Sequence, residues 1–275
     1  VSPRVVFLDV DGTYAHHGVV PPGHVAAVRA ARAAGNRVLL CTGRPMSMLP
    51  PPVVAAGFDG VVASAGGYVV VDGVVLRDVR FPADLAARAV ATLDRHDAAY
   101  LLEAPDALHG RPGVDRRLGE LLGGVLPAER IDAEPAPPGI LRHLAMSDDL
   151  SGASFAKISY FGSRAPWPQV QDDVGAALRV LPSSMSAMGE SAGEISLADV
   201  HKAVGMADVL EHLGLGWSDA VAFGDGLNDV EMLEQAGIGV AIEGADPRVL
   251  AVADRTAAGP AEEGLVAAFA ELGLV

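Results

Sequence analysis

The chain has 275 residues, half of them apolar, a mean hydropathy of +0.31 and a net charge of −15 from 20 basic and 35 acidic residues. This length suits about two domains, and the acidic balance repels nucleic acid and anionic membranes, excluding both as main partners. The single cysteine, Cys41, leaves no internal disulfide framework or cysteine-based zinc site; with no apolar run near the roughly 18 residues of a membrane span and no signal-peptide core, a cytoplasmic protein is expected.

In chain order, residues 4–9 predict a buried strand ending in Asp9-Val10-Asp11-Gly12-Thr13, and Pro21-Pro22-Gly23 leads into a helix from His24 to Ala34, stopped by Gly35-Asn36. Strands follow at Arg37–Cys41 and Gly60–Ala63, on either side of Thr42-Gly43-Arg44 and a proline-rich turn. Asp72-Gly73 between Val69-Val70-Val71 and Val74-Val75-Leu76 predicts a hairpin with a type I′ turn. From about Pro82 the rhythm changes: a helix at Asp84–Arg95, a strand at Ala99–Glu103, loops at 105–113 and 134–139, a strand at Lys157–Phe161, a helix at Gln169–Arg179, and strands at Ser183–Met188 and Glu194–Leu197. Such mixed short elements predict a separate α+β unit. Beyond Asp199 the alternation returns, with a helix at His201–Leu213, a strand at 220–223, a helix at 228–235 and a strand at 237–242. The fold class is therefore α/β: a doubly wound, parallel-sheet core from residues 1–82 and 193–275, with a cap inserted at 83–192.

The chemistry gathers in four aspartates. Asp9 and Asp11 follow the apolar run Val5–Leu8, and Asp225 and Asp229 follow Ala220–Phe223. Ligands of open α/β sheets bind beyond the carboxyl ends of the strands. If these two strands are neighbours, four carboxylates meet in one small volume and need a cation, and hard oxygen ligands suit Mg2+. One carboxylate of an Asp-x-Asp pair can attack phosphorus while the other moves protons. Surface loops also carry such pairs, so the pair alone does not decide. Lysine is rare here, with 18 Arg against only Lys157 and Lys202, which makes a lysine at a motif position informative.

Four segments, Phe7-Leu8-Asp9-Val10-Asp11-Gly12-Thr13, Leu40-Cys41-Thr42-Gly43-Arg44-Pro45, Lys202, and Gly224-Asp225-Gly226-Leu227-Asn228-Asp229-Val230-Glu231-Met232, resemble the ordered motifs of the haloacid dehalogenase superfamily. The resemblance is closest to its Cof-like branch of sugar-phosphate-type phosphatases, which carry a large α/β cap after the third core strand. It implies a Mg2+-dependent phosphatase of small phosphorylated metabolites, working through an aspartyl-phosphate, with specificity set by the cap. Asp9 would be the nucleophile and Asp11 the general acid/base. Asp9, the backbone carbonyl of Asp11, and Asp225 would hold Mg2+, with Asp229 completing or supporting the shell. Thr42, through its hydroxyl and backbone N–H, would bind phosphate together with Gly43. Lys202 would neutralise phosphate charge and orient Asp9, and Asn228 would hold Lys202 or the substrate. Arg44 suits either substrate contact or a structural ion pair.

Three positions depart from the family pattern. Tyr14 stands where Leu commonly follows Asp-Gly-Thr and should alter packing near the mouth of the site. Ala65 and Gly244 stand where the family usually has Asn. The alternatives are a phosphotransferase or phosphomutase on the same core, or a catalytically idle sugar-phosphate sensor, which would have no use for the Asp9–Asp11 pair.

Overall fold

The computed structural model describes residues 3–16, 18–123, 143–183 and 185–275. Strand β1 (Val5–Leu8) is apolar and buried along its whole length, as a strand covered on both faces must be. Helix α1 (Pro22–Ala33) starts two residues before the predicted His24, because Pro22 is pre-set for the first helical position. It buries His24, Ala27, Val28 and Ala31, a single helical stripe. Then come β2 (Arg37–Cys41), the one-turn helix α2 (Pro51–Val54), β3 (Gly60–Ala63), and the hairpin β4 (Tyr68–Val71) and β5 (Val74–Asp78). Asp72 and Gly73 have φ of 49° and 79°, the two positive values that the predicted turn requires.

The next stretch runs α3 (Ala83–Arg95), β6 (Ala99–Glu103), β7 (Leu108–Gly110), α4 (Val114–Gly123), β8 (Leu144–Met146), β9 (Lys157–Phe161), α5 (Trp167–Val174), β10 (Leu178–Pro182) and β11 (Gly193–Leu197). Several elements here differ from the sequence reading. The predicted helix Gln169–Arg179 is a helix and the start of a strand. Gly175, at φ 80°, donates its N–H to the Gln171 carbonyl and ends α5, and β10 then pairs antiparallel with β11. The predicted strand Ser183–Met188 is instead broken by a 3-10 turn over Ser186–Ser191, with Gly189 at φ 56°. The predicted loop 105–113 contains β7, and α4 follows it, burying Val114, Leu118 and Leu122 at fourfold spacing. Charged Asp115, Arg116 and Arg117 hide that stripe in the sequence. The predicted loop at 134–139 lies outside the described residues.

The chain then continues through α6 (Lys202–Leu213), β12 (Ala220–Gly224), α7 (Val230–Gln235), β13 (Ile238–Ile242), α8 (Pro247–Leu250), β14 (Arg255–Ala257) and α9 (Gly264–Glu271). The described strands form two sheets. One has the order β14-β13-β12-β1-β2-β3-β4-β5 and the other β10-β11-β9-β6-β7-β8. The first is parallel from β14 to β3 and ends in the antiparallel hairpin. From β1 the chain winds one way through β2 and β3, and after α6 the other way through β12, β13 and β14. The reversal falls between β1 and β12, the topological switch point where open α/β sheets bind ligands. α1 packs with α9, and α6 packs with α7.

The residues divide into two compact units, one of Val1–Arg44, Leu49–Asp78 and Val200–Val275, the other of Pro45–Met48 and Val79–Asp199. The first is centred on Val5, Phe7, Leu39, Val62, Met206 and Ala222. In the second, one sheet face packs through Leu93, Tyr100, Leu102, Ile158 and Val170. Among the described residues no helix is long and apolar enough to cross a membrane.

Candidate active site

β1 and β12 pair in parallel with Leu8 opposite Phe223, and the Asp9 N–H donates to the Phe223 carbonyl at 3.0 Å. This register sets Asp9 beside Gly224-Asp225, although 216 positions separate Asp9 from Asp225 in the sequence. Gly12 makes the approach possible. At φ +95° it is in a region L-residues avoid, and a Cβ there would lie 2.3 Å from Asp225 Oδ2. The next residue, Thr13, is fully buried and donates its hydroxyl to Asp225 Oδ1 at 2.8 Å. Thr13 received no role from the sequence, although it belongs to the same Asp-Gly-Thr string.

Lys202 is the first residue of α6 and is wholly buried. Its ammonium donates to Asp9 Oδ1 and Asp229 Oδ1, both at 2.5 Å. Burial opposes its charge, but Asp229 and Asp9 outweigh burial and push its pKa up. Burial also drives the Asp9 carboxyl well above the usual carboxylate range; Lys202 pulls it down, while Asp229 and Asp225 push it further up. Asp225 is raised to about 6, by burial first and by the charge of Asp229 second. Asp9, Asp225 and Asp229 each bring an oxygen within 4.8 Å of the others. Three carboxylates against one ammonium leave two formal negative charges, and burial together with mutual repulsion raises both Asp9 and Asp225 despite Lys202. A hard divalent cation supplies what is missing, so the donor set fits such a metal.

Asp229 is fully buried, and its Oδ2 accepts the N–H groups of Asp225 (3.1 Å) and Gly226 (2.9 Å). With Oδ1 on Lys202, it knits the loop after β12 to α6. The 3-10 turn Leu227–Asp229 sets this geometry.

Asp11 does not join the carboxylate cluster with its side chain. Its two oxygens instead accept from Arg44, Nε at 2.6 Å and Nη2 at 2.7 Å. Thr42 is buried at the end of β2, and its backbone N–H donates to the Val62 carbonyl at 2.8 Å. The expected gift of that N–H to phosphate is thus corrected: parallel pairing with β3 has already taken it. The hydroxyl oxygen accepts the Arg44 N–H at 3.1 Å, which leaves the hydroxyl hydrogen to donate. Gly43 is half-buried at the tip of this turn. Asn228 is not among the partners of Lys202, against one of its expected roles. Its Oδ1 instead crowds Gly226, 2.7 Å from where a Cβ would stand.

The turn after β3 braces both halves of the site. Ser64, Ala65 and Gly66 have φ of 50°, 53° and 100° in succession. The Ser64 N–H donates to the Arg44 carbonyl (2.9 Å) and the Ala65 N–H to the Thr42 carbonyl (3.0 Å). Gly66 abuts the start of α6 so closely that a Cβ would lie 2.2 Å from the His201 carbonyl oxygen. Left-handed backbone at two non-glycine residues costs about 1–2 kcal/mol each. The Asn that the family usually carries adopts this conformation more readily than Ala65. Tyr14, expected near the mouth, is fully buried, stacked on His24 at 6.2 Å and edge-on to Phe58 at 5.4 Å.

Three carboxylates and a buried ammonium thus gather at the switch point of the sheet, and comparison with known proteins gives the family. Residues 6–269 match the family model described as haloacid dehalogenase-like hydrolase, and the chain belongs to that family. It is 26% identical over 280 residues to the Bacillus subtilis (strain 168) protein YkrA, covering 100% of each chain. It is 28% identical over 275 residues to the Escherichia coli (strain K12) 5-amino-6-(5-phospho-D-ribitylamino)uracil phosphatase YbjI, covering 97% of this chain and 94% of that one. In fold it resembles the subclass IIB sugar phosphatase BT4131, with a TM-score of 0.81, 19% identity, and coverage of 99% and 100%.

Proposed function

We propose that this haloacid dehalogenase-type phosphatase is a cytoplasmic, Mg2+-dependent enzyme that hydrolyses small phosphomonoesters through an aspartyl-phosphate on Asp9. The observation that carries the reading is the Lys202 ammonium, buried and shared at 2.5 Å between Asp9 and Asp229. What marks this ammonium is its place at the switch point beside three converging carboxylates, where phosphoryl transfer needs fixed positive charge beside the nucleophile.

In the first half-reaction an Asp9 carboxylate oxygen attacks phosphorus. The bond from phosphorus to the ester oxygen breaks, its electron pair goes to that oxygen, and Asp11 delivers a proton there. In the second, Asp11 takes a proton from water as the water oxygen attacks phosphorus. The bond to Asp9 breaks and inorganic phosphate leaves, with Asp9 again a carboxylate. Lys202 holds Asp9 in line and offsets charge on the phosphoryl oxygens, and the Thr42 hydroxyl and the Gly43 turn bind one of those oxygens. Asp9, Asp225 and the Asp11 carbonyl would hold Mg2+, which when bound supplies charge neutralisation for the transferred group. Asp229 supports this shell, since both its oxygens already serve Lys202 and the loop N–H groups, and Thr13 aims Asp225. Asn228 serves the substrate side.

The relatives include phosphatases named for a phosphoribitylamino-uracil and for pyridoxal phosphate. Small phosphomonoesters of this kind are therefore the panel to test. Release of inorganic phosphate is expected with Mg2+, and a loss of at least about 10³-fold on adding EDTA or in Asp9→Asn. Full activity in either condition overturns the mechanism, and phosphate appearing on an acceptor instead of free would make the protein a phosphotransferase.

A further inference from the structure

We infer that Arg44 is a positioning residue for Asp11, so that its guanidinium serves the general acid/base and not the phosphate. The inference rests on the proposed role of Asp11. Two nitrogens of Arg44, Nε and Nη2, meet the two oxygens of Asp11 in a fork at 2.6 and 2.7 Å. Such a bidentate pair fixes the plane of a carboxylate as well as its distance.

Both ends of the fork stand on anchored backbone. The Arg44 N–H is held by Thr42 Oγ1 (3.1 Å) and its carbonyl by the Ser64 N–H (2.9 Å), the first of the three left-handed residues. Asp11 lies in a closed turn, bridged to Ala15, with the Gly12 N–H on the Ala15 carbonyl at 2.9 Å. With Asp11 41% exposed and Arg44 22%, solvent screens the charge of the pair, so stability alone is a modest reason for so ordered a fork. A carboxyl that must reach a leaving oxygen gains from a fixed starting position, since misplacement by about an ångström can cost on the order of 100-fold. Asp11 is also the one aspartate of the four outside the carboxylate cluster, where Lys202 orients Asp9 and Asp229 and the Thr13 hydroxyl orients Asp225.

The test is a double-mutant cycle of Arg44→Met and Asp11→Asn in the Mg2+-loaded enzyme. kcat/KM is read on p-nitrophenyl phosphate, whose leaving group needs little acid, and on an alkyl phosphate, whose leaving group needs much. Because kcat/KM ends with departure of the leaving group, it isolates the step that Asp11 assists as an acid. Asp11→Asn is expected to lose about 10²-fold or more on the alkyl ester. Arg44→Met is expected to lose roughly tenfold there and less than about threefold on the aryl ester, with the double variant no worse than Asp11→Asn alone. Arg44→Lys, which keeps the charge but not the fork, should restore little of the alkyl activity.

Losses that multiply in the double variant, equal losses on both esters, or full rescue by Arg44→Lys would overturn the inference and return Arg44 to phosphate binding. Asp11→Asn with unimpaired alkyl activity would instead sink the acid role itself, and the inference with it. A thermal unfolding midpoint unchanged in Arg44→Met would set the effect apart from misfolding. A drop in that midpoint parallel to the activity loss on both esters would mark the pair as structural.

Discussion

Lys202 and Lys157, the only lysines of the chain, have similar electrostatic surroundings in two different units. Each is buried and each lies between two carboxylates: Lys202 between Asp9 and Asp229 at 2.5 Å, Lys157 between Glu194 at 3.1 Å and Glu103 at 3.3 Å. Burial opposes the charge of both ammonium groups, and their acidic neighbours raise both. Their supports differ. Lys157 sits in a regular strand, directly across from Glu103 in the ladder of β6 and β9, with Ser159 donating to Glu103 Oε1 at 2.5 Å. Lys202 stands at a helix start against a left-handed turn, and its carboxylates come from two strand ends over 200 residues apart in sequence. A cross-strand ion cluster in regular sheet locks pairing register. An ammonium held by strained, non-local backbone is an arrangement that register alone does not require. The same residue type in the same kind of charge cluster thus fits architecture in one unit and, under the proposed function, a reaction centre in the other.

That contrast can be broken experimentally. The largest effect is expected from Lys202→Met, with kcat falling on the order of 10³-fold because the charge beside the nucleophile is gone. A loss under tenfold would make Lys202 as architectural as its counterpart. Lys157→Met should leave Glu103 buried without its ammonium and cost about 3–5 kcal/mol in denaturant unfolding, with kcat per folded molecule changing less than about threefold. A larger kcat loss would move Lys157 into the chemistry and dissolve the distinction.

The smallest effect sharpens the comparison from the other side, because His24 is buried with backbone partners and only the Glu263 carboxylate, which partly offsets burial, as a charged neighbour. Its Nδ1 donates to the Tyr14 carbonyl at 2.9 Å, and its Nε2 accepts the Leu265 N–H at 3.3 Å. Burial lowers its pKa from 6.5, so between the folded and unfolded values the unfolded chain binds the extra proton. Stability is therefore expected to be complete above about pH 6.5 and to fall as pH drops below it, by up to one proton's worth of slope. Unfolding curves between pH 7.5 and 5 should lose that increment in His24→Asn; an unchanged slope would show that His24 folds protonated.

Much of the core was legible because its signals are local. Val5–Leu8 and Ala220–Phe223 are unbroken apolar runs ending in acid, and Asp-Gly at 72–73 carries its own turn geometry. Asp9 and Asp225 could be placed together because both follow strand ends, and Lys202 joined them through the resemblance to an ordered set of family motifs. What stayed hidden depended on partners. That the Thr42 N–H is taken follows from pairing with Val62, the Arg44–Asp11 fork from the juxtaposition of two loops, and the Thr13–Asp225 bond from the register of β1 on β12. In the second unit the helix stripe of α4 was masked by its charges. Gly175 was the stop inside a predicted helix, but a glycine among Asp173, Val174 and Ala176 carries no mark of the left-handed φ it adopts.

The placing of β1 between β2 and β12 has a consequence for biosynthesis. A chain emerging from its N-terminus can assemble β1, β2, β3 and the hairpin early, but the other edge of β1 must wait for Ala220–Gly224. Until then the most apolar strand of the sheet is an open edge, the kind of surface that invites misassociation. The pairing that covers this edge also delivers Asp225 and Asp229 to Asp9, so concealment of the sheet and completion of the site are a single late event.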